Sequence, residues 1–128
     1  MELIDFKLAR KLKEKGFREK VNAYYGKHEN IFDVHPALDM NDCDYRASAP
    51  TISQVLKWLR EKKIYININT LPSFYKNFMS KQECRLMFDI RICYFKEEMY
   101  HYYDLNEPYF KYEDACIAGI EYIVEHLI

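Results

Sequence analysis

The sequence predicts an α+β domain in which an antiparallel sheet of three or more strands is packed by helices, in the core order α-β-β-β-α. An N-terminal helix and a candidate hairpin precede that core. Three observations carry the prediction. Residues 51–69, TISQVLKWLREKKIYININ, change from a helical to a strand period; residues 84–94, CRLMFDIRICY, alternate over a full strand length; and the segment from Tyr112 to the end, YEDACIAGIEYIVEHLI, has acids in its first turn and an apolar stripe behind them.

Taken in order, Asp5 is placed to cap a first helix of about ten residues with Phe6, Ala9 and Leu12 inward and Lys7, Arg10, Lys11 and Lys13 outward. Gly16 ends it in the left-handed conformation of a C-cap, with Phe17 folding back on Leu12. The pieces VNAYY and IFDV around GKHEN suggest a hairpin with a five-residue loop beginning at Gly26. His35 to Pro50, with two prolines and clustered Asp, Asn and Ser, reads as a long connection.

Thr51 and Gln54 have the spacing of a capping box. Behind it Ile52, Val55, Leu56 and Leu59 form an inner face with Trp58 on its flank, while Lys57, Arg60, Glu61, Lys62 and Lys63 fall outside. Ile64, Ile66 and Ile68 then alternate with Tyr65, Asn67 and Asn69, so a tight helix-to-strand corner is expected with no Gly or Pro to make it. Residues 74–83, FYKNFMSKQE, read equally as the tail of a strand pair or a short helix. In the next strand Leu86, Phe88, Ile90 and Ile92 face inward. A polar break at 96–98, KEE, leads to a third strand, MYHYYDL, paired with the second, and then a loop around Pro108. In the last helix Cys116, Ile120, Ile123 and Leu127 form the stripe, with Ala115 and Tyr122 beside it. Gly119 in its middle implies that another element crosses close by.

At 128 residues the chain reads as one domain, 1–128, able to bury a core without staples. Lys and Arg number 19 against 20 for Asp and Glu, so no global attraction to nucleic acid or anionic membrane is built in. Cys43, Cys84, Cys93 and Cys116 form no CxxC pair, and no metal or other cofactor is expected. The N-terminus lacks a signal-peptide apolar run and no stretch approaches the ~18–20 apolar residues of a membrane span, which makes the expected location cytoplasmic. His28 and His35, with Asp33, Asp42, Cys43 and Asp44 downstream, have no fixed ligand spacing; the glycines stand apart at 16, 26 and 119, and the serines lie in no nucleophile-elbow context.

Three blocks, LARKLKEKGFREKVNAYY, SAPTISQVLKWLREKKIYI and YEDACIAGIEYIVEHLI, resemble in order those of small proteins of unknown function from Bacteroides-type phages and mobile elements. The resemblance covers the first 70 residues and the last 17 or so. It implies a setting, and it carries over no catalytic residue. The core order is also that of double-stranded RNA-binding domains, which resemble this chain in topology but set lysines at the start of the last helix. The equivalent turn here is Lys111-Tyr112-Glu113-Asp114, with two carboxylates where phosphates would lie.

The compositional feature that stands out is tyrosine, 12 in all and seven of them between Tyr94 and Tyr122. Tyr65, Tyr100, Tyr102 and Tyr103 are the candidate interaction surface, since tyrosine brings large area with a polar tip. The acids nearby, Glu97, Glu98, Asp104 and Glu107, favour an unidentified protein partner or a homo-oligomer over nucleic acid. The expected function is that of a cytoplasmic phage or mobile-element accessory protein acting by protein binding or self-association. The alternatives are a nucleic-acid module using Lys57, Arg60, Lys62 and Lys63, and an enzyme with no recognisable motif.

Overall fold

The computed structural model of the protein describes residues 2–76 and 82–128. Its elements are α1 (Phe6–Glu14), β1 (Val21–Tyr25), β2 (Ile31–Leu38), β3 (Ala47–Ser48), α2 (Ile52–Glu61), β4 (Ile64–Lys76), β5 (Gln82–Lys96), β6 (Met99–Tyr109) and α3 (Tyr112–His126). The class is α+β, with two antiparallel three-stranded sheets ordered β2-β1-β3 and β4-β5-β6. The chain divides into two compact units, Met1–Lys62 with Ile120–Ile128, and Lys63–Gly119. Residues 77–81 of the ambiguous segment lie outside the described residues, while 74–76 extend β4.

In the first unit the Asp5 carboxylate accepts the Leu8 N–H at 2.8 Å and starts α1. Its stop is a Schellman turn: Gly16 at φ 88° and Phe17 send their N–H groups to the carbonyls of Lys13 and Leu12. Leu8, Ala9 and Leu12 are the buried residues of α1. Phe6, expected inside, is half-buried and meets Tyr25 edge-on at 5.5 Å. Lys13, expected outside, turns in: its ammonium donates to the Cys43 carbonyl and, at 2.7 Å, to that of Arg46.

Those bonds hold a connection that is shorter than expected, because β2 continues through Pro36 to Leu38 and β3 forms before Pro50. A proline is tolerated there because β2 is a sheet edge and needs no donor on its open side. Between them Asn41, only 7 % exposed, donates to the Phe17 carbonyl at 2.7 Å and accepts the Ser48 N–H at 2.8 Å. Burying an amide is costly unless its bonds are made, and here they are made.

α2 opens with the expected capping box between Thr51 and Gln54. Its buried face, however, is Ile52, Val55, Trp58 and Leu59, and Leu56 is half-buried. The face centres on Val55 because at about 100° per residue that rotation brings the indole inside. An aromatic ring covers more area than a leucine, so its burial decides the rotation. Trp58 meets Phe17 edge-on at 5.2 Å. Ile120, Ile123 and Val124 of α3 are buried in the first unit; Val124 replaces the expected Leu127, which is half-buried.

The second unit begins at the corner. Lys63 adopts φ 59°, the left-handed turn that the change of period demands, and its carbonyl accepts the Phe95 N–H at 3.2 Å. β4 and β5 pair from Ile64↔Tyr94 to Lys76↔Gln82, and β5 pairs with β6. β6 runs through Pro108, where a loop was expected, with an irregular register between Phe88 and Ile90 on its partner. Ile64, Ile90 and Ile92 are buried, and Phe88 is half-buried; the side chain of Leu86 lies outside the described residues. The crossing inferred at Gly119 is present: a Cβ there would lie 3.1 Å and 3.2 Å from the Cδ1 and Cγ2 of Ile66 and 3.5 Å from the Cγ2 of Ile90.

Leu59 is fully buried, so Leu59→Ala is expected to cost about 2–5 kcal/mol. Leu56→Ala should cost less than half as much, and Lys57→Ala less than about 0.5 kcal/mol. Denaturant midpoints of the three variants measure this, and a Leu56→Ala cost equal to that of Leu59→Ala would overturn the rotation of the face. At Gly119 an alanine gains about 1 kcal/mol of helix propensity but crowds the stiff, β-branched Ile66, and overpacking costs about 1–3 kcal/mol. Gly119→Ala is therefore expected to lower the midpoint, and to lower it less in an Ile66→Ala background; a raised midpoint would show that Ile66 yields.

Candidate interaction surface

Directly opposed residues of an antiparallel pair project to the same face. The registers therefore sort the second unit's sheet into rows. Ile66, Ile92 and Tyr103 form one row on the face that meets Gly119, and Ile64, Tyr94 and His101 form the next. On the opposite face lie Lys63, Phe95 and Tyr100; then Tyr65, Cys93 and Tyr102; then Asn67, Arg91 and Asp104.

Of the four tyrosines expected to share a surface, Tyr65, Tyr100 and Tyr102 do. Tyr103 does not: it lies an odd number of positions from both Tyr100 and Tyr102, and strand alternation turns it to the helix-facing side. His101 is half-buried on that same side, stacked on Tyr94 at 5.4 Å with Nε2 3.2 Å from the Lys96 carbonyl.

The outer face is aromatic and open. Tyr100 is 59 % and Tyr102 67 % exposed, with Phe95 at 39 %. Its polar groups are tied to its rings. Arg91 forms a forked pair with Asp104, Nε to Oδ1 at 2.7 Å and Nη2 to Oδ2 at 3.1 Å, and lays its guanidinium 4.7 Å from the Tyr102 ring centre. That pairing holds the Asp104 carboxyl below the usual carboxylate range and raises the Arg91 guanidinium. The Lys63 ammonium sits 4.7 Å over Phe95, which meets Tyr100 edge-on at 5.0 Å. Sequence reasoning misses Phe95 and Arg91. The signal that finds them is the odd-numbered row through Cys93, once the pairing with Tyr65 is known.

The hairpin tip departs from the expected three-residue break. Lys96 belongs to β5 and the turn is Glu97-Glu98, with φ 55° and 64°. Two consecutive left-handed residues are the pattern of a type I′ turn, which favours Asn-Gly.

The cations proposed for phosphate contact have other partners in part. Lys57 and Arg60 are exposed, but the Lys62 ammonium lies 4.8 Å over Trp58 and Lys63 lies over Phe95. On α1, Arg10 lies over Phe6 at 5.6 Å and Lys11 pairs with Glu125 at 3.0 Å. Among the described residues no three His, Cys, Asp or Glu side chains are grouped to hold a metal ion. Two clefts in the first unit measure about 90 and 130 Å³, well below the roughly 300 Å³ at which small-molecule sites begin. Among the described residues no helix is long and apolar enough to cross a membrane. Cys116 is buried, and burial pushes its thiol up.

Compared with known proteins, the chain matches no family model, no curated protein and no solved structure.

Replacing Glu97 and Glu98 by Asn and Gly is expected to stabilise the protein by about 1 kcal/mol, since the new pair takes φ > 0 readily. Thermal or denaturant unfolding of the double variant checks this, and an unchanged or lowered midpoint would mean that the glutamates carry a compensating contact.

Proposed function

We propose that this protein works by binding another protein or its own copy through the outer face of the β4-β5-β6 sheet, centred on Tyr65, Tyr100 and Tyr102. The observation that carries the reading is the exposure of Tyr100 and Tyr102 in one aromatic row system with Phe95. Contiguous exposed aromatic surface is uncommon on a protein with nothing to bind, and tyrosine is enriched where proteins meet. The resemblance to small phage and mobile-element proteins fits an accessory role in the bacterial cytoplasm.

Nucleic acid is the second reading, because aromatic sheet faces also stack bases. What disfavours it is the charge around the face: Asp104 and Asp89 accompany Lys63 and Arg91, and both cations are held over rings or carboxylates.

A photo-crosslinking residue placed at Tyr102 in producing cells is expected to give a discrete protein adduct, and the same residue at Lys57 none. Adducts to nucleic acid, or equal labelling at both positions, would reverse the reading. Steeply salt-dependent retention on heparin would favour the second reading.

A further inference from the structure

We propose that the free edge of β6 over Met99–Leu105 pairs antiparallel with the same edge of a second copy of this chain, about a dyad at Tyr102. This rests on the binding role just proposed for the same sheet and names its partner. The direction of the main-chain groups comes first. The Phe95 N–H donates to the Lys63 carbonyl, so the polar groups of Phe95 face β4, and those of Tyr94 face β6. By alternation Met99, His101 and Tyr103 direct theirs to β5, while Tyr100, Tyr102 and Asp104 direct theirs away from the sheet. Among the described residues no strand lies beyond β6 to take them.

An edge left this way is normally blunted by lysine, proline or a bulge. The edge strand β2 carries Pro36 and an irregular register, and the far end of β6 carries Pro108 and its own irregularity. Met99–Leu105, MYHYYDL, has no lysine, arginine or proline. On the other edge of the sheet, β4, Ile64 is buried, Tyr65, Ile66 and Ile68 are half-buried and Asn67, Asn69 and Thr70 exposed; on β6 His101, Asp104 and Leu105 are half-buried, and Met99, Tyr100 and Tyr102 are each more than half exposed.

The edge is complementary to itself. With Tyr102 on the dyad, Tyr102 pairs with Tyr102 and Tyr100 with Asp104 of the other copy, so every outward N–H and C=O of the stretch finds a partner. The one charge on the stretch, Asp104, already neutralised by Arg91, lands beside a tyrosine and not beside its own copy. Met99 comes beside Leu105. Glu97 and Glu107 would oppose each other just outside, which ends the pairing at Met99 and Leu105. One strand pair buries less than the ~800 Å² per partner of a stable interface. The dimer is therefore weak and concentration-dependent.

Sedimentation velocity of the full chain from micromolar to millimolar is expected to show a monomer–dimer equilibrium. Hydrogen exchange should then slow at high concentration for the amides of Tyr100, Tyr102 and Asp104, while those of Met99, His101 and Tyr103 are protected at both extremes. Tyr102→Lys is expected to weaken association at least tenfold while the chain stays folded, and Tyr102→Phe, which keeps the ring under Arg91, to retain it. A monomer at every concentration, or a dimer whose new protection falls elsewhere, overturns the proposal. A monomer that still gives protein adducts at Tyr102 sinks only the self-pairing, whereas no adduct and no dimer sink both readings.

Discussion

The second unit depends on how closely α3 approaches β4 and β5 at Gly119. With 3.1 Å between a notional Cβ and Ile66, any side chain here would push Ile66 aside by a few tenths of an ångström, and glycine lets the helix backbone settle on the isoleucine row without that shift. That contact selects Ile64, Ile66, Ile90 and Ile92 as the inner set, and a period of two leaves no freedom in the other set. Tyr65, Phe95 and Tyr102 are outside because their neighbours in sequence are inside. The aromatic face is thus a consequence of the core, and a one-residue slip of β5 would bury Arg91 and expose Ile92.

The charges tell a similar story of internal use. The first half of the chain holds 13 basic side chains against 10 acidic, which invites a search for phosphate contacts. In the folded chain Lys13 holds two loop carbonyls, Lys11 a glutamate, and Arg10 and Lys62 ring faces. Exposed pairs of this kind contribute little stability. Their effect is to occupy cations that composition alone counts as available.

The helices and strands are legible because each carries a local signal: the Thr51–Gln54 box, the Gly16–Phe17 stop, the alternation of 84–94. Misreadings arise where a non-local partner decides. Nothing near Lys13 announces the loop at 43–46, and the rotation of α2 is set by Phe17, far before Trp58 in the chain. For the candidate surface, tyrosine content identifies the region, but adjacency in sequence is no guide to adjacency on a face. Tyr102 and Tyr103 are neighbours in the chain and lie on opposite sides of the sheet.

Two local rules are broken together in the hairpin that bears this surface. Its turn uses glutamates where φ > 0 favours Asn-Gly, and the strand leaving that turn is an edge that over Met99–Leu105 has none of the usual protection. Glu29 and Lys63 also take φ > 0, but each stands alone; among the described residues only Glu97 and Glu98 do so in succession. The edge strand β2, by contrast, has its proline. Two departures meeting in one segment are the pattern of a site whose conformation is held for something other than stability. The acidic tip gives the segment a second property, since it penalises a sliding register. Pairing about His101 would set Glu98 opposite Asp104 of the other copy, like charge against like, while pairing about Tyr103 would leave Met99 and Tyr100 outside the stretch. Only the dyad at Tyr102 uses the whole of Met99–Leu105 and keeps Glu98 clear of Asp104, and so the sequence that leaves the edge open also limits how it can be closed.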